Sequence, residues 1–419
     1  MTSPNAPLDP APLFEGAARA PVTKRMEDAG CGTTPVMASP VVLSRAVMDS
    51  AVGHCQAIRW ATLELLRRWR AGDPLLRGAV VLPQGLDTVL EDHDVALMQR
   101  CRFDAIVDAT GQFHLLELQV GDPSGAAWSD VLVAAMPEAP GFHAWTRARR
   151  VGAREIVARH AMLLKSQGAK KVGVLCDPQM FAIGDARHHA RLLAHHGLTV
   201  TPVTDPRDVE VDGGRVRVAG LQVDTALRDS VDDFLSPPFF SRTTALRAAL
   251  RHGAVRLHNP FWDALLDDKG WMEWLHQHGV PGVPCSRLVW ERKTTWKGLE
   301  VDLVAALSRD REGTVLKPRD GYGGHGVVLG RDCTQAAWDD ALATALRHAP
   351  RFLAQAYVET PRVNVVDATG VLRQPFVTLS IWLVAGQDAG AFARVGDRRV
   401  TNVHSGGGMA AVYVDEGPV

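Results

Sequence analysis

The sequence carries no surplus of charge. Its 46 basic and 47 acidic side chains leave a formal net charge of −1 over 419 residues. No global field therefore draws it toward nucleic acid or an anionic membrane surface. Paired cysteines are also missing. Cys31, Cys55, Cys101, Cys176, Cys285 and Cys333 are scattered and form no C-x-x-C pair, which excludes a zinc ribbon and a disulfide framework and predicts a reducing, cytoplasmic setting. No run approaches the ~20 apolar residues of a membrane span. Met1 to Pro12 lacks the basic stretch and apolar run that would predict a signal peptide. Lysine is scarce: eight of the 46 basic residues are lysine and the rest arginine. A lysine inside an apolar segment therefore calls for an explanation.

What is present is ordinary globular composition, with 46% hydrophobic and 22% charged residues. The length allows roughly two to four domains. Residues 1–40, rich in Pro, Ala, Gly and Thr, read as an N-terminal arm. Apolar residues recur at helical steps from about 41 to 71, and Gly72-Asp73-Pro74 ends that pattern. A second helix is expected over about 87–100, then a hairpin over 102–120. In 151–256 a helix to 166, a strand Lys171–Cys176, a helix 185–196 and a strand Leu198–Val203 predict an α/β unit with parallel pairing. The histidines His188, His189, His195 and His196 share no i,i+3 or i,i+4 spacing and are expected on a solvated face. From 257 onward a helix over 262–278 precedes strand candidates at 286–290, 314–318, 326–329, 352–358, 376–384 and 391–395, which suggests an α+β region of mainly antiparallel sheets.

Three constellations carry chemistry. In the first, two extended runs flank Ala109-Thr110-Gly111-Gln112. If Asp108 pairs with Phe113, Asp104 faces Glu117 and Arg102 faces Gln119 on one side of a hairpin. Two carboxylates opposed across a ladder repel, a liability that a divalent cation would relieve; carboxylate and amide oxygens suit Mg²⁺. A surface hairpin with a chance polar stripe fits the pattern equally well. In the second, Lys317 closes an apolar strand, and Gly321, Gly323, Gly324 and Gly326 follow within six residues. Such a loop can fold its N–H groups around phosphate oxygens, although neither the P-loop nor the dinucleotide fingerprint is met. The third is a dispersed set: Asn259-Pro260-Phe261, then Asp267-Asp268-Lys269, then Gln355-Ala356-Tyr357-Val358-Glu359, then Arg394 and Thr401-Asn402.

In this order the pieces resemble the ATP-grasp ligases, in the circularly permuted arrangement of glutathionylspermidine synthetase and eukaryotic-type glutathione synthetase. The resemblance spans roughly residues 100–410. It implies an α+β and α/β molecule: an ATP-grasp fold whose two antiparallel-sheet lobes (257–419, with the hairpin region 41–150) grip ATP, with 151–256 inserted as an α/β substrate-binding domain. By the same resemblance, Asp104, Glu117 and Gln119 would be Mg²⁺ ligands, Gln119 standing where the family's motif R-x-D…E-x-N has Asn. Lys269, Lys317 and the loop glycines would bind phosphates. Gln355, Tyr357, Val358 and Glu359 would border adenine, with Asn402 near the nucleotide. Arg102 and Arg394 would meet the transferred phosphoryl group, and Asp122, Ser124 and Ser405 the substrate.

The implied reaction joins a carboxylate and an amine of amino-acid or small-peptide substrates as an amide, through an acyl phosphate, at the expense of ATP. Phosphoryl transfer needs positioning and charge neutralisation more than covalent work by the protein. A degenerate nucleotide-binding protein and a kinase that stops at phosphoryl transfer are the alternatives. The oligomeric state is left open, a homodimer among the options.

Overall fold

The computed structural model describes residues 9–15, 21–29, 35–76, 80, 90, 95–176, 184–205, 208–212, 215–218, 220–228, 244–321, 323–403 and 406–418. Its largest sheet has seven strands. The strand order is Val41–Ser44, Gly408–Pro418, Gln387–Gly396, Phe376–Val384, Arg100–Val107 and Phe113–Gln119, with Arg149–Gly152 also paired to Gly408–Pro418. All nine residues of Phe376–Val384 are buried, as expected of a central strand covered on both faces.

Helix Arg45–Arg70 starts where the Ser44 hydroxyl accepts a hydrogen bond from the Val47 N–H at 3.3 Å, an ordinary N-cap. It buries Met48, Ala51, Cys55, Ile58, Thr62, Leu65 and Leu66, a stripe at three- and four-residue steps. The four residues before it form a strand parallel to Val412–Asp415; the run Val41-Val42-Leu43 fits either period.

A second sheet is parallel throughout, in the order Arg256–His258, Thr225–Arg228, Lys171–Leu175, Thr199–Val203. Helices Ile156–Ser166 and Asp185–His195 accompany it. This is the α/β unit that the sequence predicts. A third sheet is antiparallel, Ser286–Leu288, Phe352–Ala356, Thr314–Pro318, Val328–Leu329. Together with helices Leu303–Arg309 and Gln335–Arg347 it encloses its own core of Trp296, Leu307, Leu316, Trp338 and Ala354. The molecule thus pairs an α/β unit with antiparallel sheets.

Several expected elements differ. Residues 95–99 are irregular and a strand opens at Arg100; most of the rest of the helix expected over 87–100 lies outside the described residues. The helix expected at 151–166 begins at Ile156, after the strand Arg149–Gly152. The helix expected over 262–278 is broken into Phe261–Ala264, a 3₁₀ turn Leu265–Asp267 and Trp271–Gln277. The break frees Asp267 and Asp268 to bind distant groups, described below. His188 and His189 are buried, not solvated, because that helix face packs against Arg100 and His160.

Candidate active site

The hairpin Arg100–Val107/Phe113–Gln119 forms with Asp104 opposite Glu117 and Arg102 opposite Gln119. The route to that register differs from the expected one. Val107, not Asp108, pairs with Phe113, and a bulge at Leu116 restores the offset. Asp108 instead turns the loop, its Oδ1 accepting from the Thr110 and Gln112 N–H groups at 2.9 and 3.0 Å. A bulge leaves its residue outside the ladder, and here the Leu116 carbonyl accepts a hydrogen bond from Lys317 Nζ at 3.0 Å.

Asp104, 1% exposed, receives three hydrogen bonds and one further ion pair. Arg102 Nε donates to Oδ1 and Nη2 to Oδ2, each at 3.0 Å. Ser380 Oγ donates to Oδ1 at 2.7 Å, and Arg394 Nη2 lies 2.8 Å from Oδ2. Burial alone would raise the pKa of this carboxyl, but Arg102, then Arg394, with the hydrogen bonds of Arg102 and Ser380, hold it below the usual carboxylate range. Arg102 also donates from Nη1 to the Ser124 carbonyl at 2.6 Å. Glu117 differs: its side chain is 19% exposed, and Lys269 Nζ stands 2.8 Å from Oε1. Gln119 ends the strand on the same face.

The broken helix ties these pieces together. Asn259 Nδ2 donates to the Arg100 carbonyl at 3.2 Å and to that of Val120. Asp267 Oδ1 accepts from the Val120 N–H at 2.6 Å and the Gly121 N–H at 3.1 Å. Burial, then the charge of Asp122, pushes its pKa up to about 7 against those hydrogen bonds. Asp268 takes Arg319 in a two-point ion pair at 2.8 and 2.6 Å. Lys269 then reaches both Glu117 and the Gly321 carbonyl. The dispersed Asn-Pro…Asp-Asp-Lys residues therefore form a strap between the carboxylate hairpin and the glycine loop.

In that loop Gly323, Gly324 and Gly326 have φ of 61°, 74° and 71°, a region that favours glycine. Lys317 Nζ donates to Gln355 Oε1 at 2.5 Å. Burial, set against the attraction of Glu117 and Asp104, lowers its pKa to about 8.

One cleft is lined jointly by Asp104, Glu117, Lys269, Lys317, Gly321, Gly324, Gln355, Tyr357, Val358, Arg394 and Asn402. Among the expected residues, Arg102, Gln119, Gly323, Gly326 and Glu359 are not part of that lining; Arg102 pairs with Asp104, and Glu359 with Arg331. Asp122 and Ser124 follow the hairpin beyond the cleft lining. Ser405 lies outside the described residues. Sequence reading missed Ser380, and it missed the apolar wall of Ile106, Leu116, Val315 and Leu329. Singly these are plain strand residues, and only the packing of one sheet over another makes them a slot. Among the described residues, no group of three or more His, Cys, Asp or Glu side chains is placed to hold a metal ion.

Two mainly antiparallel sheets closing on a cleft, with a glycine loop over one side, constitute an ATP-grasp fold. The chain belongs to the circularly permuted ATP-grasp type 2 family, whose model matches residues 88–400. It is 26% identical over 336 residues to uncharacterized proteins of Mycobacterium tuberculosis and Mycobacterium bovis, an alignment covering 74% of this chain. The matched region spans 59% of the length of those relatives. Among solved structures, a glutathione synthetase-like effector from Globodera pallida in its apo form superimposes with a TM-score of 0.58. That match has 12% identity and covers 94% of this chain and 97% of the other. Among the described residues no helix is long and apolar enough to cross a membrane.

Proposed function

We propose that the chain is an ATP-dependent carboxylate–amine ligase. The observation that supports this best is the shared cleft: two lysines, two arginines, a carboxylate pair and part of the glycine loop line one space. A carboxylate oxygen of the substrate attacks the γ-phosphorus and ADP leaves. An amine then attacks the acyl carbon, phosphate leaves with the bond's electron pair, and the amide forms as the amine loses a proton.

In this reading Lys269 and Lys317 take phosphate oxygens as compact charges, and Gly321, Gly323, Gly324 and Gly326 cover them. The base lies between the apolar wall and the backbone of Ala356, Tyr357 and Val358, with Glu359 and Asn402 at the nucleotide's edge. Arg102 and Arg394, held on Asp104, meet the phosphoryl group as charge moves. Asp122, Ser124 and Ser405 border the carboxylate substrate, an amino acid or small peptide.

The donor set fits a magnesium ion. Glu117 and Asp104 offer carboxylate oxygens and Gln119 an amide oxygen on one face of the hairpin, and Glu117 is the more exposed of the two carboxylates. A magnesium ion bound there would supply positive charge to the phosphates. The test is ADP release across a panel of amino acids and peptides, with mass spectrometry of the products. Release that requires both a carboxylate and an amine, with an amide product, supports the ligase. A stable phosphorylated product from one substrate supports a kinase, and no ADP release on any pair removes the proposal.

A further inference from the structure

The opposed carboxylates are neutralised from within, and unequally. Asp104 is saturated by two arginines and a serine. Among the described residues Glu117 has one cation at ion-pair distance, and that cation comes from another element: Lys269, on the strap, 2.8 Å from Oε1. The same ammonium donates to the Gly321 carbonyl at the start of the glycine loop, and both residues line the cleft. Lys269 is 7% exposed, so water screens its attraction to Glu117 little.

Accordingly, we infer that Lys269 is an internal counter-ion to Glu117 that competes with a divalent cation for that carboxylate. Nucleotide phosphates, by drawing the ammonium off Glu117, would open the carboxylate to the cation. The two ligands then bind with positive coupling, and that coupling is reciprocal. A divalent cation alone has to displace the ammonium and meets its repulsion at close range. Nucleotide alone has to separate the ammonium from the carboxylate. Together, each ligand removes the other's obstacle. Lys317 is not part of this exchange, because its ammonium is bonded to the Leu116 carbonyl and to Gln355. The inference rests on the assignment of Lys269 to phosphates made above, but it can be tested without turnover.

The experiment measures Mn²⁺ binding by electron paramagnetic resonance in the full chain, without nucleotide. Lys269→Met removes the charge and keeps an unbranched side chain that is one atom shorter. It is expected to bind Mn²⁺ about 10-fold or more tightly than the parent, since one cation at ion-pair distance has been taken away. Lys317→Met should gain less. Adding Glu117→Gln to Lys269→Met should abolish the gain, which localises it to that carboxylate. Lys269→Gln serves as a second variant should the Met side chain disturb folding, as judged by thermal melting. A Lys269→Met or Lys269→Gln protein that folds and binds Mn²⁺ no more tightly than the parent overturns the inference. So does a gain that survives Glu117→Gln. Binding of a fluorescent ATP analogue to the parent is measured in parallel. Its absence would overturn the nucleotide assignment while leaving the Mn²⁺ result to stand or fall separately.

Discussion

One strand, Arg100–Val107, carries two polar clusters of opposite character, spaced two residues apart along the same face. At Arg102 and Asp104 the groups are charged and paired, and Asp104 with its other partner, Arg394, lines the cleft. At Arg100 the partners are imidazoles. Arg100 Nη1 lies 3.0 Å from His189 Nδ1, and His189 Nε2 lies 3.2 Å from His160 Nδ1. The His160 and His258 rings are 5.6 Å apart. Burial, with the nearby Arg100 charge, holds His160 and His189 well below the usual histidine range, and burial with Arg256 and Arg100 puts His258 at about 4. The lesson is that burying charge is not itself a mark of chemistry. The first cluster borders space for a ligand, whereas the second fills the seam between the large sheet and the α/β unit.

The comparison can be broken most sharply at Arg102. Arg102→Lys keeps the charge but loses the planar fork that holds two oxygens. Amide formation should fall by ~10²-fold or more, the scale of one transition-state donor, with nucleotide affinity changed only a few-fold. Normal turnover would make Arg102 a structural partner of Asp104 and move attention to Arg394.

Asp104→Asn should act on stability instead. It leaves two arginines without their shared anion, at a cost of about 3 kcal/mol, read as a lowered denaturant midpoint. Glu117→Gln should cost much less, because Glu117 is partly exposed and faces a single lysine. Equal losses would mean that the two carboxylates play the same part.

The histidine cluster should show itself through pH. Its imidazoles have folded pKa values below the unfolded one, so their stabilisation is complete above about pH 6.5 and is lost as pH falls toward the folded values. Each proton taken up on unfolding steepens the loss by about 1.4 kcal/mol per pH unit. For His258 the window runs from about 6.5 down to about 4. His258→Asn should flatten part of that slope in denaturation curves at pH 7, 6 and 5, and leave nucleotide affinity at pH 7.5 unchanged.

The sequence reading succeeded where the signal was local. Lys317, Gly321 and Gly324 do come together along one cleft, as a lysine closing an apolar strand before a glycine-rich turn suggests. The facing of Asp104 and Glu117 was legible from alternation, although the turn was misplaced by one residue and the Leu116 bulge compensated. What failed was long-range. No spacing rule within one helix can see that His189 meets His160 and Arg100 on other elements. Nor could the 262–278 pattern reveal that Asp267 and Asp268 leave the helix for the 120–121 backbone and Arg319.

The claim that this cleft holds a nucleotide through its two lysines is tested most directly by titrating a fluorescent ATP analogue into the parent, Lys269→Ala and Lys317→Ala, with melting curves as the folding control. Saturable binding by the parent and a loss of about 10-fold in each variant, the scale of one charge-assisted phosphate contact, is the predicted result. Unchanged affinity in both folded variants would contradict it.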